Sequence, residues 1–112
     1  MPRPRKPRYV QGHPVVEAFV PVVDPPWGRE EVSLPVEGLE AIRLVDQQGL
    51  DQQAAAESMN VSRQTFGRIL TEARMTVADA LVNGKVLRIG GGHFAIRPRG
   101  RRRCRRGWGG GK

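Results

Sequence analysis

"MNVSRQTFGRIL", residues 59–70, is the stretch whose reading decides the fold. Asn60 tolerates the left-handed backbone conformation better than most residues, and Ser62 is a natural N-cap. The stretch therefore reads as the end of one helix, a short turn and the start of another. Upstream, Asp51 can cap "QQAAAESM", which predicts a helix over about 51–59. Downstream, Phe66, Ile69, Leu70, Ala73, Val77, Ala80 and Leu81 recur at the helical period. They predict a buried face on a helix over about 62–83, stopped by Asn83-Gly84. A third helix is expected over about 36–48, where Leu39, Ile42 and Val45 share one face and Gly49 follows.

Two helices meet at a sharp angle only if the turn is short and nothing bulky blocks the crossing. Ala56 lies four residues before Asn60, where the helices approach, and Ala55, Met59, Val61, Phe66 and Ile69 supply apolar contacts. Ser62, Arg63, Gln64, Gly67 and Arg68 are left facing out. In a helix-turn-helix the N-terminal part of the second helix enters the major groove. Arg suits guanine O6/N7 and Gln suits adenine N6/N7. Arg63, Gln64, Gly67 and Arg68 are accordingly the candidate base contacts, with Gly67 omitting a side chain where backbone could press on DNA. Candidate phosphate contacts are Ser62 and Thr65 with the helix N-terminus, then Thr71 and Arg74. Arg3, Arg5, Lys6, Arg8, Arg101, Arg102 and Arg103 join them from the flanks. Any small three-helix core has apolar residues at these spacings, and exposed Arg and Gln are usually just solvated. The small residue, the Asn turn, the Ser cap and the outward polar set occur together here, and that favours DNA.

Charge placement adds to this. The 112 residues carry 19 Lys+Arg against 11 Asp+Glu. Residues 1–10 hold four cations and 97–112 hold eight, with no acid in either. The body, 11–96, has seven cations and all eleven acids. A basic excess held in two flanks suggests a polyanionic partner. "MPRPRKPR" alternates Pro with cations, so 1–12 is expected as a disordered arm, and the Arg/Gly-rich 97–112 as a disordered tail. The intervening 13–96 is the expected domain. Within it "VVEAFVPVV", 15–23, is a strand candidate that Pro21 confines or breaks. "DPPWGREE" is a loop, and "VLRI" and "FAI" are short strand candidates. Should the protein dimerise, "VLRI" could pair with its copy or with "VVEAF".

Other chemistries find little support. No apolar run reaches membrane-spanning length, and no apolar segment follows the basic start as in a signal peptide. The lone Cys104 cannot form an internal disulfide, which fits a reducing cytosol. His13 and His93 make no zinc spacing, and "GGG" at 90–92 is no phosphate loop. Trp27 is expected to anchor a loop on the core. Trp108, among arginines, could stack on a base or simply be solvated. No nucleophile has a base beside it, so neither catalysis nor a cofactor is expected.

"MPRPRKPR", "LEAIRLVDQQGL", "AAAESMNVSRQTFGRIL" and "ADALVNGKVLRI" resemble a prokaryotic family of predicted DNA-binding proteins, domain of unknown function one-three-four, over about residues 1–92. That resemblance implies a helix-turn-helix similar to sigma factor region four. The fold class expected is thus mainly α, a small helical domain of the winged-helix or sigma region-four kind with short flanking strands. It also implies transcriptional regulation in the cytoplasm, at the nucleoid, with double-stranded DNA as partner and RNA polymerase or another protein as a second one. A protein- or RNA-binding module with non-specific basic tails is the alternative. Family members often carry cysteines after the basic arm; here "YVQGHPVVEAF" has none, which argues against a metal or redox role. Where members often have Ser and Glu, this chain has Asp51 and Ala54, losing a capping box but keeping the cap.

Overall fold

Three residues with left-handed backbone, Gly49, Asn60 and Gly84, punctuate the middle of the chain. The structure is a computed structural model and describes residues 7–97. The first helix, α1, covers Val36–Ile42 and runs on into a π-helical turn, Arg43–Gln47. Helix α2 is Gln52–Met59 and α3 is Arg63–Asn83. Each ends with its left-handed residue and a closing amide. Val61 N–H donates to the Ala56 carbonyl at 3.0 Å and Lys85 N–H to that of Ala80 at 2.9 Å, satisfying carbonyls the helix end leaves open. After the wider π turn the equivalent bond runs from Leu50 N–H to the Leu44 carbonyl, 3.0 Å. At the starts, Asp51 Oδ1 accepts from Ala54 N–H at 2.8 Å and Ser62 Oγ from Thr65 N–H at 3.0 Å. Helix α1 follows Pro35 and has no side-chain cap. Its Val36 N–H donates to the Gly91 carbonyl instead, at 3.2 Å.

The helices enclose one core cluster, built on Ala41, Leu44, Ala55, Ala56, Met59, Phe66 and Leu70. The paired alanines keep α2 thin where α3 crosses it. At the α1–α3 crossing the small residue is Gly38: a Cβ there would lie 3.2 Å from Ala73 Cβ and 3.0 Å from Leu34 Cδ1.

Among the described residues five short strands flank the helices: β1 (Arg8–Val10), β2 (Ala18–Phe19), β3 (Glu31–Leu34), β4 (Val86–Ile89) and β5 (Phe94–Ile96). One sheet has the order β2-β4-β3, with β4 antiparallel to β2 and parallel to β3. Leu34 and Ile89 of this sheet meet Ala73 of α3 in a second cluster. The other sheet is a parallel β1–β5 pair, with Arg8 opposite Phe94 and Val10 opposite Ile96.

The architecture is therefore mixed, three helices with short strands, where a mainly α fold was expected. β4 and β5 do not pair with each other as the hairpin of a winged helix would. Gly91 and Gly92 have positive φ and carry the chain across the start of α1; a Cβ on Gly92 would strike the Glu37 carboxylate. "VLRI" cannot pair with a copy of itself, because β2 and β3 occupy both its edges. Of "VVEAFVPVV" only Ala18–Phe19 pairs. The expected arm, 1–12, includes Arg8–Val10, which is strand; Leu81, expected in the core, is exposed. Trp27, expected as an anchor, is 74% exposed. Residues 1–6 and 98–112, with Arg3, Arg5, Lys6, Arg101, Arg102, Arg103, Cys104 and Trp108, lie outside the described residues.

Candidate nucleic-acid interface

The site starts at the Ser62 cap. The Ser62 hydroxyl accepts from Thr65 N–H and donates to Thr65 Oγ1, both at 3.0 Å. Both of its hydrogen-bonding roles are thus used in holding the helix start, and Thr65 keeps its own hydroxyl hydrogen as a donor. The amides of Arg63 and Gln64 belong to the first turn and have no intrahelical acceptor. Beyond the cap, Phe66, Leu70 and Ala73 turn inward. Helical geometry then sets Gln64, Arg68, Thr71 and Met75 in one outward stripe, and all four are exposed. Arg63 and Gly67 lie on the flank towards α2. Gly67 is half-buried, and a Cβ there would meet only Gln52 Oε1, at 3.7 Å.

The cations divide into two groups. Arg43 pairs with Glu40 and Arg88 with Glu31, each at 2.8 Å; Lys85 pairs with Asp79 at 2.9 Å and Glu30 at 3.4 Å. Among the described residues Arg29, Arg63, Arg68 and Arg97 make no ion pair; Arg29 donates to the Gly84 carbonyl, and Arg63 and Arg68 stand on the first two turns of α3.

Two of the expected phosphate contacts, Arg74 and Arg8, are paired with acids. Arg74 donates from Nε and Nη2 to both Asp46 oxygens, at 3.1 and 2.7 Å. This hydrogen bonding holds the Asp46 carboxyl below its ordinary pKa and raises that of Arg74. Arg8 turns inward, because β1 pairs with β5 and so brings it to the start of α1. Its Nη1 lies 3.4 Å from Glu37 Oε2, and the same carboxylate accepts from His93 N–H at 3.2 and 3.3 Å. Asp46 and Glu37 are thus the site's unforeseen members, acids that fix where two arginines point. An open groove of about 480 Å³ beside Glu37 is bordered by Arg8, Arg68 and Glu72 as well. His13 meets Phe94 edge-on, with ring centroids 6.2 Å apart. Among the described residues no group of three or more His, Cys, Asp and Glu could hold a metal ion. No helix there is long and apolar enough to cross a membrane.

Comparison with known proteins gives a family. Residues 1–97 match the family described as "Protein of unknown function DUF134", and the chain belongs to it. It is 51% identical over 113 residues to a UPF0251 protein of Caldanaerobacter subterraneus, covering 96% of each chain. It is 54% identical to one of Thermoanaerobacter pseudethanolicus, covering 86% of this chain and 81% of the relative. A Rhodospirillum rubrum UPF0251 protein is 49% identical, over 88% of this chain and 68% of the relative. No solved structure matches.

Proposed function

We propose that the chain is a sequence-specific DNA-binding protein, a transcriptional regulator acting in the cytoplasm at the nucleoid. In this reading α2, the turn at 60–62 and α3 work as a helix-turn-helix of the sigma region-four kind. The supporting observation is the placement of Arg63 and Arg68. They remain without an ion pair among the described residues, on the exposed start of a capped helix, while most other body cations are neutralised. Gln64 and Arg68 read base edges in the major groove. Thr65 and the amides of the first turn hold a phosphate. The flanking cations neutralise further phosphates without reading sequence, so affinity comes largely from the flanks and preference from α3.

The test is selection from a random duplex pool at about 150 mM salt, where binding by the flanks alone is strongly screened. An enriched motif that Gln64→Ala and Arg68→Ala erase supports the reading. A pool that stays random while the protein binds sinks it. One observation favours a second reading, a protein- or RNA-binding module: the body itself carries seven cations against eleven acids. A partner that survives nuclease treatment in a pull-down separates that reading from the first. RNA polymerase is the protein partner the sigma-like reading calls for.

A further inference from the structure

Arg8 and Arg74 are both paired with acids, but the two pairs are built differently. Arg8 and Glu37 are enclosed, their side chains 15% and 10% exposed. Arg74 and Asp46 stand in the open, at 50% and 40%. Yet the open pair is the better formed. Nε and Nη2 of Arg74 each donate to a separate Asp46 oxygen, at 3.1 and 2.7 Å. A guanidinium takes two oxygens of a phosphate in the same fork. An exposed pair of this kind adds little to stability, so a competing anion displaces the carboxylate at low cost.

Arg74 follows Gly67 by seven residues, about two turns, and so continues the flank of α3 that carries Arg63 and Gly67. A helix with its side chains is about 10–12 Å across, and the major groove is about 12 Å wide. With the outward stripe of Gln64, Arg68 and Thr71 on base edges, the flanks of the helix meet the walls of the groove, which are phosphates. Asp46 belongs to the π-helical turn Arg43–Gln47, closed by Gln48 N–H on the Arg43 carbonyl at 2.8 Å. Such turns are rare, occur mostly singly and are frequent at functional sites. Here the turn brings a carboxylate to the flank of α3 that faces phosphate in the proposed complex, where a negative charge opposes binding.

Resting on the DNA-binding reading, we infer that Asp46 is a built-in stand-in for a backbone phosphate. It holds the Arg74 guanidinium in the free protein, and Arg74 exchanges it for a phosphate of the duplex on binding. One fork of hydrogen bonds breaks, another forms, and the Asp46 carboxylate returns to water. Because phosphates carry no sequence information, the cost of the exchange is the same on every duplex. Asp46 thereby weakens binding to all sequences alike and leaves the preference to Gln64 and Arg68. It offsets part of the indiscriminate affinity that a net charge of +8 supplies. The enclosed Arg8–Glu37 pair takes no part in such an exchange.

The test is fluorescence anisotropy of the full chain on the selected duplex and on a random-sequence one, between about 50 and 200 mM salt. Wild type is compared with Asp46→Asn and Arg74→Ala. Expected of Asp46→Asn is binding about two- to fivefold tighter on both duplexes, the size of one exposed ion pair, with the melting temperature kept. Expected of Arg74→Ala is a salt slope on the selected duplex shallower by about 0.9, one phosphate contact. Unchanged or weaker binding by Asp46→Asn means that the carboxylate only braces α1 against α3, and overturns the inference. So does an Arg74→Ala slope equal to that of wild type, since Arg74 then stays on Asp46 in the complex. Should Asp46→Asn fail to fold, the Arg74→Ala slope decides alone. A chain that selects no motif loses the DNA reading and this inference together, whereas either negative result on a chain that selects one removes the inference alone.

Discussion

Replacing Gly67 by Ala should move stability and DNA affinity in opposite directions. Gly67 is in the interior of α3, and its φ is not among the positive ones. A methyl group there would find Gln52 Oε1 at 3.7 Å, an ordinary contact, and nothing nearer. Helix propensity alone then favours Ala by about 1 kcal/mol. For a domain of this size that is a rise of about 4–8 °C in melting temperature. On the proposed complex the same methyl stands on the flank between Arg63 and Thr71, where helix backbone approaches the duplex. Loss of one base-edge contact costs about 1–3 kcal/mol, or roughly 5–150-fold in affinity. Thermal unfolding by circular dichroism and fluorescence anisotropy on the selected duplex measure the two effects on one sample. A higher melting temperature with unchanged affinity and motif would refute the docking of this flank. A lower melting temperature would refute the packing argument at Gln52.

Ser62→Ala removes the acceptor of Thr65 N–H and should destabilise the fold by about 1 kcal/mol in denaturant titration. Asn60→Gly should leave stability level or higher, whereas Asn60→Ala should lower it by about 1 kcal/mol, because φ is 60° there. Arg8→Ala leaves the buried Glu37 carboxylate short of a charged donor, so it should cost on the order of 2 kcal/mol without changing the salt slope of DNA binding. Glu31, Asp46 and Asp79 are held below their ordinary pKa values by hydrogen bonds, chiefly from Arg88, Arg74 and Asn83 respectively. Their folded pKa values being depressed, the stabilisation is present at neutral pH and is lost as pH falls. The melting temperature should therefore drop below pH 4.5, more steeply below 3.8, and less so in high salt because these pairs are exposed. Removing 98–112 should weaken binding to all duplexes alike and flatten its salt dependence, read by titration at several salt concentrations.

The helices were legible because their signals are local. Asp51 and Ser62 cap, Asn60 and Gly84 stop, and the apolar period needs no knowledge of the rest of the chain. The strands were not, for the opposite reason. Ala18–Phe19 is too short to show alternation, and β3 finds its partner β4 only beyond all three helices. Leu81 misled because the helical period continues past the point where the core ends. The candidate site divides the same way. That Gln64 and Arg68 face out follows from where Phe66 and Leu70 must go. That Arg8 and Arg74 are tied to Glu37 and Asp46 depends on which distant acid the fold brings near, and charge counted along a sequence does not contain that.

The parallel β1–β5 pair bears directly on how the two basic flanks could act. Parallel strands begin at the same end. The segment before β1 therefore departs at the Arg8 end of the ribbon, and the segment after β5 at the Val10–Ile96 end. The pairing persists to the last described residue, where Arg97 N–H donates to the Val10 carbonyl at 2.7 Å. At the first end Arg8 borders the same groove as Arg68. Arg3, Arg5 and Lys6 lie within five residues of Arg8, a reach of at most about 18 Å of extended chain. On the proposed complex, cations so close to Arg8 would meet DNA near the bases that α3 reads, as minor-groove arms do. Those of 98–112 follow from the far end of the ribbon. The Glu37 anchor under Arg8 thus has a function in this scheme: it fixes the origin of the short arm relative to the reading helix, and a fixed origin is what turns a non-specific charge into a contact with defined register.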